Sequence, residues 1–411
     1  MQKSSAWSAT LVAAALFGSL AVVPAQAAPV PTAQTAPVTS QVLLEKMKAL
    51  LPADHEARLK AVKLRLGIED GELRAVADQV IDPDQYRCDQ TELTSWLQTS
   101  IKDISLNDLI VLVFSGALDV PTYDTLLFSK KSDPQTYGQR GEFTRPLVRT
   151  FADLKGFWDI RSRDIQLAAM HGTTLLNPAK IARTVKYTLG MTEENATEFG
   201  KLLAEFVDQP QFQHGRAPIL TFNAFAYSAL GQEEFPGLGV LPDKIVMGDG
   251  VLEGFAAIGL GDVAPQAILA HEFGHHIQYE RDLFASPLTG PEATRRTELM
   301  ADAFAAYYLT HKRGANLNWK RTEHFIQTFA NVGDCGFTDP NHHGTPNQRT
   351  KAAEWGNLVA LATERHGRVL PTKVFARLFE RKLPELVAPD AKPVTPDADI
   401  ASLEADVVPA T

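Results

Sequence analysis

Residues 270–276 read Ala270-His271-Glu272-Phe273-Gly274-His275-His276. The pattern is H-E-x-x-H. Residues four apart share one face of an α-helix, so a helix here points His271 and His275 the same way, with room for one metal ion between them. Glu272 then sits about 100° round the helix, near enough to reach a water on that metal without ligating it. Zinc takes neutral imidazoles, and two of them plus a carboxylate leave a fourth position for water. The competing explanation is a surface helix with two solvated histidines. The flanks read as helix from Ala264 to about Arg281. Pro265 suits the first turn, where its missing N–H costs nothing, and Ile268, Leu269, Phe273 and Ile277 recur at helical spacing. Gly274 costs about 1 kcal/mol relative to Ala inside a helix. Either it is a tolerated glycine, or another element approaches closely beside the metal.

A second helix is expected from Pro291 to about Lys312, with Gly314 as its stop. Glu298 and Asp302 are four apart on it and share a face. Two acids so placed repel unless something cationic lies near them. Glu298 is the expected third metal ligand, and Asp302 the expected acceptor from a ligand imidazole N–H. A solvated acidic face is the alternative.

The H-E-x-x-H helix followed, after 22 intervening residues, by Glu298-x-x-x-Asp302 resembles the gluzincin metallopeptidases. That resemblance implies zinc on His271, His275 and Glu298, Glu272 as general base, and Asp302 behind His271. It also implies a zincin-like core. Metzincins are excluded, because Gln278 and Arg281 stand where a Gly and a third His are required. The chain is also similar to a bacterial family of neutral zinc metallopeptidases in HEFGHHIQ (271–278), ELMADA (298–303) and HGTPNQR (343–349), with Trp355 beyond. This covers roughly residues 265–356, and Ala303 departs from the Cys often found there.

HGTPNQR carries a helix start: Thr345 as N-cap, Pro346 at N1 and Gln348 closing a capping box. The helix it opens is expected to run to about His366. Capping leaves His342 and His343 unexplained. Hydrolysis at a metal needs a hydrogen-bond donor for the developing oxyanion. His343 is the first candidate, followed by Tyr307 and Tyr308.

At 45% apolar content, 411 residues can build one large core or two ordinary ones. A formal charge of −9 without a dense basic patch argues against a nucleic-acid partner. Lys3, the apolar run Leu11 to Val23 and Ala25-Gln26-Ala27 read as a signal peptide over 1–27, so the product is expected to be exported, periplasmic or secreted, with no stable membrane anchor after cleavage. Residues 28–40 read as a disordered linker and 389–411 as a disordered tail. Cys88 and Cys335 either pair in an oxidising compartment or stay free and buried.

Between these ends the pattern predicts a helical N-terminal region (41–210) and a metallopeptidase domain (211–388), mainly α with a small β-sheet. Helix is expected within 41–66 with a break at Pro52, from Glu92 to Ile104, after the N-cap Ser105, over 165–170, from Pro178 to Leu189, from Thr192 to Val207 and from Thr372 to Leu383. His171, beside Gly172, reads as a loop residue. Strands are expected over Pro218 to Phe225 and Lys244 to Met247, the latter ending in a Gly248-Asp249-Gly250 turn. These strands either floor the core or present an edge to which an extended peptide could pair.

The expected function is that of a zinc metallopeptidase acting on a peptide or protein substrate. The alternatives are a zinc-stabilised binding or chaperone-like protein without turnover, and a zinc hydrolase of a non-peptide substrate. Glu272 speaks against the former, since structural zinc needs no base.

Overall fold

The computed structural model describes residues 40–66, 86, 88–232, 234–336, 342–364 and 368–389. The expected signal peptide, nearly all of the expected linker and tail, and the expected helix end at His366 lie outside them. Among the described residues the chain is mainly helical with one small sheet.

The N-terminal region opens with α1 (Ser40–Leu50) and α2 (His55–Leu66), separated at Pro52. After these come α3 (Glu92–Ser100), α4 (Leu106–Phe114), α5 (Val120–Phe128) and α6 (Thr144–Phe157). α3 is shorter than the expected span to Ile104. Ser105 caps α4 through a reciprocal box with Asp108, satisfying backbone N–H groups that the first turn leaves orphaned.

Residues 165–170 are not helical. Gln166–Met170 forms strand β1, although Ala, Leu and Met favour helix locally. Parallel pairing with β3 (Lys244–Gly248) overrides that preference, because the ladder satisfies backbone groups that would otherwise be buried unpaired. Helices α7 (Pro178–Leu189) and α8 (Glu193–Val207) follow β1, capped by Asn177 and Thr192. The expected strand from Pro218 begins instead as a 3-10 turn over Pro218–Thr221, and only Ala224–Tyr227 extends as β2, antiparallel to β3. The strand order is β1-β3-β2. Asp249 does not turn the chain after β3 but opens α9 (Asp249–Ala257).

The C-terminal helices are α10 (Ala264–Arg281), α11 (Pro291–Thr310), α12 (Trp319–Asn331), α13 (Pro346–Glu364) and α14 (Thr372–Leu386). The sheet sorts its faces by the two-residue period of a strand. Ile245, Met247 and Ala224 join the large core of α10, α11, α13 and α14, whereas Val246, Ala168, Met170, Phe225 and Tyr227 face a smaller core beneath α5. All four β2 residues are buried, and the Ala169 backbone N–H on β1 donates to Gln135 Oε1 at 2.8 Å.

A disulfide joins Cys88 to Cys335, tying the approach to α3 to the segment after α12. No helix among the described residues is long and apolar enough to cross a membrane.

Candidate metal centre

Helix α10 is almost wholly buried along its length, as the floor of the largest core requires. Its Gly274 is where α11 crosses it. A Cβ built there would lie 3.1 Å from Ala301 Cα and 3.2 Å from Ala301 Cβ. The glycine therefore answers the close approach of a second helix. Ala301 lies between Glu298 and Asp302, so this crossing brings both acids onto the two histidines. Replacing Gly274 by Val is expected to push the helices apart, costing about 1–3 kcal/mol by overpacking and weakening metal binding. Thermal melts with and without metal would show both effects; unchanged metal affinity would refute the positional role.

The ligand atoms converge. His271 Nε2 lies 3.1 Å from His275 Nε2 and 3.3 Å from Glu298 Oε2, while His275 Nε2 lies 3.3 Å from Glu298 Oε1. All three residues are at most 2% exposed. Their tautomers follow from the outer partners. His271 Nδ1 donates to Asp302 Oδ1 at 2.8 Å, since a carboxylate can only accept. His275 Nδ1 donates to Gln278 Oε1 at 2.9 Å, and that amide is oriented by its own Nε2 donating to the Thr297 carbonyl at 2.7 Å.

Neutral imidazoles with both Nδ1 atoms protonated turn two Nε2 lone pairs and a carboxylate toward one point. Three electron-rich atoms in that arrangement repel unless a cation lies among them. Ligands of a tetrahedral zinc lie roughly 3.3 Å apart, given bond lengths near 2.0–2.2 Å. The residues therefore fit a metal ion, and His271, His275 and Glu298 can hold one.

The surrounding charges prepare the same site. Burial disfavours an ionised His271, but hydrogen bonds and charge from Asp302 and Glu298 outweigh it and bring its pKa up to about 10. Burial likewise works against an ionised Glu298, yet the charge of His275 and hydrogen bonds from His271 and His275 hold it well below the usual carboxylate range. Without metal, the centre thus favours a proton where the metal would go.

Behind the triad lies Arg349, on the first turns of α13 and wholly buried. It donates from Nε to Asp302 Oδ2 at 2.8 Å and from Nη2 to Asp302 Oδ1 at 2.7 Å, a bidentate fork, and Nη1 reaches Glu298 Oε2 at 3.5 Å. Arg349 stands in the HGTPNQR stretch, yet no local pattern assigns it this partner. Gln278 likewise showed no sequence signal beyond its position three residues after His275.

Glu272 is 0% exposed, and neither carboxylate oxygen has a hydrogen-bond partner. Burial raises its pKa, only partly offset by His271 and His275. Tyr279, two turns further along α10, is also buried, and after burial itself the charge of Glu272 contributes most to raising its pKa.

The turn before α13 brings His343 toward the centre. Asp334 Oδ2 accepts from the His343 backbone N–H at 2.8 Å and from His343 Nδ1 at 2.9 Å, while Asp334 Oδ1 accepts from His342 Nδ1 at 2.6 Å. His343 and Glu298 are close enough that each stabilises the other's charge. The Tyr307 hydroxyl instead engages Thr363 Oγ1 at 3.1 Å and the Leu370 N–H at 3.0 Å, and Tyr308 packs edge-on against Phe157. Both tyrosines thus serve the core rather than the metal ligands. His171 lies on its loop, bonded to Asp249 at 2.8 Å.

Asp334 also makes a pH test. Burial opposes its ionisation, but His342 and His343 hold its pKa far below the usual value. A carboxylate depressed on folding stabilises the fold above its unfolded pKa, near 4, and that contribution is lost as pH falls toward the folded value. Asp334→Asn is expected to be less stable at pH 7 and to show a shallower loss of stability between pH 4 and 2, read from denaturant titrations. Parallel acid profiles for the two proteins would refute this.

Comparison with protein-family models, with curated proteins and with solved structures gives no match.

Proposed function

We propose that the protein is a zinc-dependent metallopeptidase that hydrolyses peptide bonds at this centre. The observation that carries the reading is Glu272. It is a fully buried carboxylate without hydrogen-bond partners, next in sequence to a metal-ligand histidine. A metal held only for stability needs no such group. When bound, zinc supplies Lewis acidity to a water and to the scissile carbonyl.

The chain's own residues supply the rest. Glu272 takes a proton from the attacking water and returns it to the leaving amine. Its burial raises its proton affinity in the direction that this task needs. Asp302 and Gln278 fix both imidazole tautomers, and the Arg349 fork orients Asp302. His343, oriented by Asp334, is assigned as the donor to the developing oxyanion. The proposal includes export to the periplasm or beyond the cell, which the Cys88–Cys335 disulfide supports because such bonds persist in oxidising compartments.

One observation favours a second reading, a metal-stabilised binding protein without turnover. Glu272 and the three ligands are all between 0% and 2% exposed, so a polypeptide reaches them only if the surrounding elements move apart. Cleavage of a mixed peptide library separates the readings. The peptidase reading expects cleavage that stops on chelation and returns with zinc. Metal bound at one equivalent with no peptide cut would favour the second reading.

A further inference from the structure

The first turns of α11 hold two adjacent arginines with opposite fates. Arg296 is paired: its guanidinium reaches Glu380 and donates to the Leu283 carbonyl at 2.8 Å. Arg295 is 4% exposed, yet its Nε and Nη1 have no hydrogen-bond partner. Among the described residues its ionic neighbour is Glu292, 3.9 Å from Nη2 and part-exposed. A buried guanidinium with unused donors costs free energy unless something accepts from them.

A second orphan donor lies beside it. Gln348 is 1% exposed, and its Oε1 is committed to the Thr345 N–H at 3.1 Å as part of the capping box. That commitment orients the amide and leaves Nε2 as a buried donor without a partner. Both side chains border Gly344, which has φ +101°. A Cβ there would be 3.4 Å from Gln348 Oε1 and 3.5 Å from Arg295 Cγ. Gly344 follows His343, and Arg295 precedes the metal ligand Glu298 by one helical turn, or about 5–6 Å between Cβ atoms. Two side chains that both border Gly344, the residue after His343, thus carry buried donors without hydrogen-bond acceptors: Nε and Nη1 of Arg295 and Nε2 of Gln348.

We propose that Arg295 and Gln348 form a carboxylate-binding subsite of the metal centre, and that it recognises the free C-terminal carboxylate of a short peptide. This rests on the peptidase reading. A guanidinium presents a planar fork that matches a carboxylate, and the amide N–H₂ adds a donor. An acidic side chain offers the same chemistry, so the test separates the two sources.

The experiment uses three N-acetylated peptides that differ only at the end: a free C-terminal carboxylate, a C-terminal amide, and an amide preceded by Glu. With zinc-loaded wild-type protein, the free acid is expected to be cut about ten- to a hundredfold better in kcat/KM than the amide, mostly through KM, as suits a charge-assisted pair. In Arg295→Met the acid-to-amide ratio is expected to fall close to one, and in Arg295→Lys to an intermediate value. Equal cleavage of acid and amide by the wild type overturns the proposal without any variant. A preference for the Glu amide over the free acid overturns its terminal-carboxylate part. Calorimetric titration of the metal-free protein with the same peptides makes the subsite independent of turnover. Tighter binding of the free acid by wild type than by Arg295→Met supports the subsite even if no peptide is cut. Equal binding by the two proteins overturns it even if peptides are cut.

Discussion

Replacing Glu272 by Gln is expected to lower kcat for peptide cleavage by about a hundred- to ten-thousandfold, the range that a positioned general base contributes. Gln keeps the size of the side chain but cannot take a proton. Metal content is expected to stay at the wild-type level, because His271, His275 and Glu298 converge on the ion without Glu272. Folding should not suffer. Burial raises the Glu272 pKa, so ionisation of this group destabilises the fold above its unfolded pKa, and a neutral Gln avoids that cost. The measurements are turnover on the peptides cut by the wild type, metal stoichiometry, and the melting temperature of the metal-free protein. Full activity in Glu272→Gln would sink the mechanism, and loss of metal would mean that Glu272 is a ligand.

Replacing Arg349 by Met is expected to be the most damaging single change to the fold. Arg349 and Asp302 are both 0% exposed, and Glu298 is 1% exposed. Deleting the cation strands two carboxylates in a buried site. Breaking such a pair typically costs about 3–5 kcal/mol, mostly the penalty of the unpaired partner. Arg349→Lys should recover only part of this, since an ammonium cannot reproduce the two parallel bonds to Asp302. Arg349→Met combined with Asp302→Asn should be less unstable than the sum of the single changes, because the second removes a charge that the first orphaned. Denaturant melts of wild type, the two Arg349 variants, Asp302→Asn and the double variant give the answer. Additive effects would show that the fork carries no coupling energy.

The metal triad was legible because its geometry is local or repeats at a helical period. His271 and His275 need only the i, i+4 rule, and Glu298 and Asp302 repeat that spacing on a second helix. Capping was legible for the same reason: Ser105 with Asp108, and Thr345 with Gln348, satisfy backbone groups within three residues of themselves. Gly274 announced a close approach without saying to what.

What remained hidden depends on partners distant in sequence. Gln166–Met170 looked helical because its residues favour helix, and only the neighbouring β3, some 78 residues later, makes it a strand. Arg349 lies 47 residues from Asp302, and no periodicity links them. Asp334, eight and nine residues before the two histidines it holds, sits outside any helical repeat with them. The burial that leaves the Glu272 carboxylate and two of the Arg295 nitrogens without hydrogen-bond partners is likewise invisible in a sequence, since an exposed arginine or glutamate reads the same. The sequence by itself therefore marked His271 and His275 as a pair able to share a metal, because that is set by spacing along a helix, whereas the crossing of α10 and α11 decides that Glu298 meets them. Tertiary packing alone decided their charge, tautomer and access to water, because those depend on which distant groups are brought within hydrogen-bond reach in a medium that excludes solvent.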